Sequence, residues 1–338
     1  MRPSTGTSLP VGFISAARAH RDKTAIVQGG DRWSYGDLDR LSDLAATKLA
    51  SHGVTRGECV GISMDRSAQA IVAMLAILKL GAVYVPFDPA APRQRLAAQA
   101  EAAAIHVLAV AGTDEAPDWF GGQILAIDLR TTEQSQPRQA PDIHPLELAY
   151  VIHTSGSTNE AKGVCVTHRA VLDLIAGADY CDFAADDVVY HGMSIAFDGS
   201  TFEIWGALLT GATLVVAPPR ITVKEIADLV VAHRVSVLLL STGVFNALGG
   251  DALQRLGSVR VLLAGGDVMS PAPAEQFLAL GGPALVNGYG PTEVTTFSHC
   301  NRMTSARQAI APVSIGAPIP GTSAYVLAAG LGALPLGC

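Results

Sequence analysis

Apolar residues recur along this chain with two different spacings, one typical of helices and one typical of buried strands. Between residues 35 and 52 the apolar side chains fall on one helical face, with a start signal at Ser34 and Asp37 and a stop signal at Gly53. The short apolar run at residues 59–62 is instead typical of a buried strand. This alternation predicts an α/β fold built on doubly wound, mostly parallel sheets.

The other predicted elements follow the same rhythm. Further helices are predicted at residues 67–80, 92–102, 168–178, 201–209, 222–233 and 271–280. Further strands are predicted at residues 82–87, 105–110, 148–153, 188–190, 213–216, 235–240, 259–263, 284–286 and 325–328. The polar, proline-rich residues 130–145 have no apolar period, and we interpret them as a loop that joins two halves.

Composition and charge limit the classes of function. The 338 residues are 49% hydrophobic and 16% charged, which is typical of a folded chain rather than a disordered one. The net charge of −7 argues against nucleic acid or an anionic membrane as the main partner. Five scattered cysteines without metal-ligand spacing, and an N-terminus without a signal pattern, predict a reduced cytoplasmic location.

A segment rich in hydroxyl groups and glycine follows the strand predicted at residues 148–153. Residues 154–163, TSGSTNEAKG, hold four hydroxyl side chains and include Lys162, one of five lysines in the chain. Backbone N–H groups in such a loop, together with a lysine, bind phosphate oxygens. A solvated surface turn is the alternative, but the preceding buried strand and the rare lysine favour phosphate binding. The spacing differs from that of a Walker loop.

Residues 287–293, NGYGPTE, follow another predicted strand. Ligands of open α/β sheets bind at the carboxyl ends of strands, where Tyr289 could present a flat face to a base. Glu293 offers an oxygen ligand suited to Mg²⁺ on a triphosphate. A Gly-Pro turn with an exposed tyrosine is the alternative.

Asp198 lies in an apolar stretch within the segment FDGS. A carboxylate in such surroundings is costly unless it has a cationic partner, and a substrate ammonium would serve. The alternative is that Asp198 caps the helix predicted to follow it.

In this order, the segments resemble the motifs of the adenylation domains of nonribosomal peptide synthetases, within the acyl-adenylate-forming superfamily. The matching segments are WSYGDLDRLS (33–42), LKLGAVYVPFDP (78–89), LAYVIHTSGSTNEAKGV (148–164), FDGS (197–200) and NGYGPTE (287–293). Their order and spacing agree from about Val11 onwards. The resemblance implies two packed α/β subdomains, residues 1–145 and 146–299, and an incomplete β-barrel portion at residues 300–338.

The resemblance also implies an AMP-forming ligase that uses ATP and Mg²⁺ to activate an amino acid as its adenylate. Catalytic roles fall on Lys162, Thr292 and Glu293, with Glu293 as the Mg²⁺ ligand. The implied ATP-binding residues are Thr154, Ser155, Gly156, Ser157, Thr158, Lys162, Gly163, Gly266, Asn287, Gly288, Tyr289, Gly290 and Thr292. The implied substrate-binding residues are Asp198, Gly199, Phe202, Leu239, Leu263, Gly265, Gly288, Thr296 and Phe297.

This implied pocket predicts the class of amino acid. Apart from Asp198 and Thr296 its lining is apolar or glycine, so charged side chains are poor substrates. Phe202 and Phe297 narrow the pocket while the glycines leave room, which favours valine first and then isoleucine or leucine. The implied partners are a peptidyl carrier protein with phosphopantetheine, and a condensation domain or a small MbtH-like helper, in antibiotic or other secondary metabolism.

The sequence departs from the family pattern in two ways. Asn159 and Ala161 stand where the family usually has glycine and proline. The family also continues with an aspartate that holds the ribose, a hinge, and a small C-terminal domain with a catalytic lysine, so we expect a truncated chain of impaired activity. Two alternatives stay open: a non-catalytic remnant that binds nucleotide or a partner, and a relative of aryl- or fatty-acid CoA ligases, which Asp198 disfavours.

Overall fold

The computed structural model describes residues 6–112, 117–135, 138, 141–155, 161–281, 283–328, 330 and 332. The α-helices are α1 (Leu9–Ala19), α2 (Tyr35–Ser51), α3 (Ala68–Lys79), α4 (Arg93–Ala102), α5 (His168–Ala176), α6 (Gly199–Leu208), α7 (Val223–His233), α8 (Thr242–Asn246), α9 (Gly250–Arg255) and α10 (Pro271–Leu278). The strands are β1 (Thr24–Gln28), β2 (Asp31–Ser34), β3 (Cys59–Ser63), β4 (Val83–Phe87), β5 (Val107–Val110), β6 (Gln123–Ala126), β7 (Leu148–Ser155), β8 (Ala161–Thr167), β9 (Val188–His191), β10 (Thr213–Val216), β11 (Val237–Ser241), β12 (Val261–Gly265), β13 (Ala284–Tyr289), β14 (His299–Met303) and β15 (Ala317–Pro318).

Local side-chain chemistry sets several helix boundaries where the sequence predicts them. The Ser34 hydroxyl accepts a hydrogen bond from the Asp37 backbone N–H, and the Asp37 carboxylate accepts one from the Ser34 N–H at 2.9 Å. Thr222 and Glu225 form the same reciprocal pair at the start of α7. Each pair satisfies backbone donors that a helix start otherwise leaves unpaired, which is why both starts were predictable.

Within the described residues the strands form two sheets, both mostly parallel. One has six strands in the order β6-β5-β3-β4-β7-β8, and the other has nine in the order β15-β14-β13-β12-β11-β9-β10-β1-β2. Antiparallel pairing is confined to β7 with β8, β1 with β2, β13 with β14, and β14 with β15. The predicted α/β class with two mostly parallel sheets is confirmed.

Strands from both sides of residue 145 enter each sheet. β1 and β2 join the nine-stranded sheet, where β1 pairs with β10, and β7 joins the six-stranded sheet beside β4. The described residues between β6 and β7 form no helix or strand, as predicted for the loop at residues 130–145. The division into subdomains at residue 145 stays a prediction, and hydrogen bonding within the sheets crosses it.

The end of the described chain differs from the prediction. β14 and β15 extend the edge of the nine-stranded sheet, and the barrel expected for residues 300–338 stays a prediction. The strand predicted at residues 325–328 is wrong, because only an isolated bridge forms at Leu327. Tyr325 and Val326 are 77% and 75% exposed, so they gain little of the burial that would favour a strand.

Two tyrosines join the six-stranded sheet to α6. Thr201 donates a hydrogen bond to the Tyr150 hydroxyl at 3.2 Å, and the Trp205 indole N–H donates one to the Tyr84 hydroxyl at 3.4 Å. Both tyrosines are almost fully buried and their rings lie 5.3 Å apart. The start of α6 is therefore held close to β7, the strand that leads into the predicted phosphate loop. Among the described residues no helix is both long and apolar enough to cross a membrane.

Candidate active site

Three of the motifs singled out in the sequence meet at one cavity. The cavity measures about 350 Å³ and lies between β4, α4, the end of β7 and the segment that precedes α6. Thr154, Asp198 and Thr292 all line it, and each comes from a different motif. The full lining is Pro86, Asp88, Ala91, Arg95, Gln99, Ile152, His153, Thr154, Ala196, Phe197, Asp198 and Thr292. Thr154 lies near the carboxyl end of β7 and Thr292 follows β13, whereas Asp198 lies at the start of α6; that these residues bind a ligand stays a prediction.

Asp198 immediately precedes α6, and its side chain forms no capping hydrogen bond with that helix. Burial raises the pKa of the Asp198 carboxyl group, and the negative charge of nearby Glu293 raises it further, while the Thr292 hydroxyl beside it favours the charged form. The Thr296 hydroxyl donates a hydrogen bond to the Asp198 backbone carbonyl at 2.8 Å. The carboxylate thus lies in a costly environment that a bound cation would relieve, while the backbone N–H of Gly199, the first residue of α6, also favours its charged form.

The predicted phosphate loop connects two antiparallel strands. In the β7–β8 hairpin Thr154 lies opposite Lys162, and Gly163 lies opposite His153. The side chain of Lys162 is exposed. Of the predicted loop residues, Gly156, Ser157 and Thr158, together with the side chain of Ser155, lie outside the described residues. The described part therefore positions the two ends of the loop, with Thr154 facing the cavity.

The predicted adenine-binding segment follows β13. Tyr289 is 50% exposed, and its ring meets that of His299 edge-on at 6.2 Å, so about half of the residue remains accessible to solvent. Asn287 is 4% exposed, and its side-chain N–H group donates to the Ser314 carbonyl at 3.0 Å. The side-chain oxygen and the second N–H of Asn287 are therefore the groups left to contact a base.

Glycines shape the backbone beside this segment. Gly266, after β12, has a φ of +95°, a conformation that disfavours side chains. A Cβ atom on Gly290 would lie 2.6 Å from the Thr296 carbonyl oxygen and 2.8 Å from the Phe297 Cα. Because both obstacles are backbone atoms, only glycine allows the chain after β13 to pass so close to residues 296–298.

The predicted substrate-binding residues lie together. Leu239 pairs with Leu263 across β11 and β12, and Gly265 pairs with Gly288 across β12 and β13. A Cβ atom on Gly199 would lie 3.5 Å from Leu239, which brings the start of α6 against this patch. Five members of the set are at least 95% buried: Phe202, Leu239, Leu263, Thr296 and Phe297.

Phe297 occupies the space that the two glycines were expected to leave. A Cβ atom on Gly288 would lie 2.5 Å from the Phe297 ring, and one on Gly265 would lie 3.2 Å from it. The ring also packs edge-on against Phe202, with the centroids 5.8 Å apart. The expectation that the glycines leave room for substrate is therefore corrected: they make room for an aromatic side chain that closes the patch.

Sequence reasoning gave His191 no role, yet it forms a buried pair with Glu203. The His191 Nδ1 lies 2.6 Å from a Glu203 carboxylate oxygen, and both side chains are fully buried. Glu203 also accepts a hydrogen bond from the Met193 backbone N–H at 3.2 Å. These contacts tie the segment between β9 and Asp198 to α6. A histidine and a glutamate twelve residues apart gave no local signal of this pairing.

Three polar residues that line the cavity were also missed, namely Arg95, Gln99 and His153. Arg95 and Gln99 are four residues apart on α4, a spacing that puts them on one helical face. Gln99 is only 7% exposed, between the buried residues Leu96 and Ala100. A polar residue on the apolar face of a helix was the available signal.

A family model described as "AMP-binding enzyme" matches residues 13–338. A linear gramicidin synthase protein from Brevibacillus parabrevis is 38% identical over 331 residues, which cover 96% of this chain and 4% of that protein. Surfactin synthase subunit 2 from Bacillus subtilis (strain 168) is 33% identical over 342 residues, covering 96% of this chain and 9% of that protein. The chain thus spans less than a tenth of the length of either relative.

Solved structures share the fold. The N-terminal subdomain of Klebsiella oxytoca NpsA in complex with 3-hydroxybenzoyl-AMSN has a TM-score of 0.88 at 26% identity, covering 98% of this chain and 85% of that one. The AMPPNP-bound form of the nonribosomal peptide synthetase FmoA3 has a TM-score of 0.90 at 28% identity, covering 98% and 36%. An artificially fused adenylation–PCP di-domain, NpsA-ThdA, has a TM-score of 0.88 at 26% identity, covering 98% and 67%.

Proposed function

This chain belongs to the AMP-binding enzyme family, and we propose that it activates an amino acid with ATP as the aminoacyl-adenylate for nonribosomal peptide synthesis. One observation carries the proposal: Thr154 from the phosphate loop, Asp198 from the candidate amine site and Thr292 from the candidate nucleotide segment line a single cavity. An amine-binding group and phosphate-binding groups must be adjacent if a carboxylate and ATP are to react.

In the proposed reaction, a carboxylate oxygen of the amino acid forms a bond to the α-phosphorus of ATP, and the bond to pyrophosphate breaks. Both reactants are anions, so the protein contributes mainly by positioning them and by offsetting their charge. Asp198 would hold the α-ammonium and so fix the direction of the carboxylate. Thr292 would contact the α-phosphate, and Lys162 with the loop hydroxyls would contact the other two phosphates.

Magnesium fits this site only as an ion shared with substrate. The described residues contain no cluster of three histidine, cysteine, aspartate or glutamate side chains that could hold a metal by themselves. Mg²⁺ is usually bound by one or two carboxylates together with substrate phosphates and water. The exposed Glu293 suits that arrangement, and there the ion would neutralise phosphate charge.

The proposed substrate is a small branched aliphatic amino acid, valine before isoleucine or leucine. The patch beyond Asp198 consists of Phe202, Leu239, Leu263 and Phe297, and the Phe297 ring fills the space beside Gly265 and Gly288. Such a lining offers nothing to pair with a charged side chain, and the ring limits the length of an apolar one. Valine is therefore preferred on size as well as on polarity.

A carrier protein with a phosphopantetheine arm is the proposed acceptor of the activated amino acid. The similarity to the artificially fused adenylation–PCP di-domain supports this partner. A condensation domain and an MbtH-like helper remain proposals that rest on the family resemblance.

Comparison of valine with 3-methylbutanoate, which lacks only the amine, tests the proposed function. Calorimetry in the presence of AMP is expected to show valine binding to the chain at least 10-fold more tightly, since a charge-assisted contact contributes about 1.5–3 kcal/mol. Asp198→Asn is expected to remove that preference. Equal binding of the two acids, or tighter binding of an aryl acid such as 3-hydroxybenzoate, would instead support the CoA-ligase alternative.

A further inference from the structure

Three residues that line the cavity have no role in the mechanism above. They are Arg95 and Gln99 from α4 and His153 from β7. Because Arg95 and Gln99 are four residues apart, their side chains leave the same face of α4. Together these residues present a cationic group and two neutral polar groups to the cavity.

Gln99 and His153 both carry polar groups without a protein partner. Gln99 is 93% buried, and in the described part of the chain its amide makes no hydrogen bond. The Nδ1 atom of His153 is buried and has no hydrogen-bond partner in that same part of the chain. Burying a polar atom without a partner is costly, so the His153 Nδ1, together with the unbonded Gln99 amide at the same cavity, points to a ligand that supplies the missing bonds.

Arg95 differs from the arginine two residues before it. The Arg93 guanidinium forms an ion pair with Asp118, whereas Arg95 has no ion pair with any residue that the structure describes. The charge of Arg95 nevertheless acts on a group that lines the cavity, the His153 imidazole. Burial, and then the positive charge of Arg95, lower the pKa of His153, which keeps that imidazole neutral at physiological pH.

The carboxylates of the cavity form no ion pair with Arg95 among the described residues. Asp88 lines the cavity too, and its side chain accepts a hydrogen bond from the Ala90 backbone N–H at 3.0 Å. The Asp198 carboxylate has the Thr292 hydroxyl and the backbone N–H of Gly199 beside it. Arg95 is thus an exposed cation beside the cavity that no carboxylate of the described protein pairs with.

We propose that Arg95, supported by Gln99, binds the β- and γ-phosphates of ATP and the pyrophosphate that leaves. The proposal rests on the proposed function, which assigns the α-phosphate to Thr292 and the phosphate loop to the segment after Thr154. Both residues line the same cavity as Arg95, so the triphosphate would run between them past the guanidinium. A guanidinium binds phosphate through two parallel hydrogen bonds, and the Gln99 amide can donate another.

Calorimetric titration of the 338-residue chain with MgATP, magnesium pyrophosphate and AMP tests the proposal. Arg95→Gln is expected to weaken MgATP and pyrophosphate binding about 10- to 100-fold, because a charge-assisted hydrogen bond is lost. AMP lacks the phosphates in question, so its affinity is expected to stay within about twofold. Arg95→Lys, which keeps the charge but loses the planar fork, should give an intermediate loss.

Two further variants separate this role from simple changes in charge or folding. Arg93→Gln removes the same charge from the same helix turn, but Arg93 does not line the cavity, so MgATP affinity should stay unchanged. Gln99→Leu removes the amide at similar volume and is expected to weaken MgATP about 2- to 10-fold and AMP not at all. Thermal unfolding of each variant establishes that it is folded.

The outcomes are distinct. Equal losses for AMP and MgATP would overturn the proposal, because Arg95 would then act on a part common to both nucleotides. Unchanged MgATP binding by Arg95→Gln would also overturn it, and would leave the cavity to another ligand, such as the arm of a carrier protein. If the unaltered chain binds neither nucleotide, the proposed function fails first, and that failure is visible without any variant.

Discussion

The length of the substrate side chain should depend on Phe297. Its ring lies against Gly288, Gly265 and Phe202, so it forms the end of the proposed amino-acid patch. Phe297→Leu replaces the aromatic ring with a smaller branched side chain and opens space next to the two glycines. We expect valine to lose contacts in this variant and leucine to gain them.

The expected magnitude follows from the size of the change. A methylene group in an apolar pocket contributes about 1–3 kcal/mol to discrimination, or about 10- to 200-fold. The ratio of leucine to valine affinity should therefore rise at least 10-fold in Phe297→Leu. The chain should also lose about 1–3 kcal/mol of stability, since the ring is 4% exposed and packs against Phe202 and Tyr180.

Calorimetric titration of both amino acids in the presence of AMP gives this ratio directly. Phe183→Leu is the matched control: its ring lies 5.0 Å from Phe202 in the same aromatic cluster, but it is not among the proposed substrate contacts. The control should lose stability without a change in the ratio. An unchanged ratio in Phe297→Leu, or an equal change in both variants, would refute the assignment of Phe297 to the pocket.

Two further predictions concern charge and backbone. Because the pKa of Asp198 is raised above its ordinary value, valine affinity should increase as the pH rises through that raised pKa, whereas Asp198→Asn should bind weakly at every pH. Because the pKa of Asp198 is higher in the folded chain than in the unfolded chain, ionisation of this carboxyl group lowers stability as the pH rises above the pKa of the unfolded chain. At neutral pH, Asp198→Asn should therefore unfold at a temperature no lower than that of the unaltered chain. A lower unfolding temperature would contradict this reasoning. Gly290→Ala should lower the free energy of unfolding by about 1–3 kcal/mol and weaken AMP binding, because the new Cβ atom would lie 2.6 Å from a backbone atom. Gly30→Ala is the control, since its Cβ atom has nothing within 4 Å, and it should unfold at the same temperature as the unaltered chain. Equal unfolding temperatures for the two variants would argue against the close backbone approach at Gly290.

Features encoded by neighbouring residues were predictable from the sequence. The capping pairs Ser34–Asp37 and Thr222–Glu225 need only three residues of separation, and both form at helix starts that the sequence predicts. Asp198 was also recognisable, because a carboxylate among apolar residues is chemically conspicuous wherever the chain folds. Such features depend on local chemistry, so they can be recognised without knowledge of tertiary contacts.

Features set by distant contacts were not predictable. β1 pairs with β10, almost 190 residues later, and no local pattern of a five-residue strand specifies that partner. Glycines at positions 265 and 288 indicated space, but the sequence could not say that Phe297 would fill it. Gln99 was ambiguous for the same reason: only the fold shows that its face of α4 meets the cavity.

The position of Asp198 is fixed by contacts from three directions, and this has a consequence for binding. Thr201 joins the start of α6 to Tyr150 of the six-stranded sheet, and Thr296 donates to the Asp198 carbonyl from the segment after β13. On the third side, Glu203 of α6 is held by His191 at the end of β9. A carboxylate positioned in this way loses little conformational entropy when an ammonium binds. Almost all of the free energy of the contact therefore contributes to affinity. Under the proposed function, the same attachment would hold the α-carboxylate of an amino acid beside Thr292, positioned to attack a nucleotide bound there.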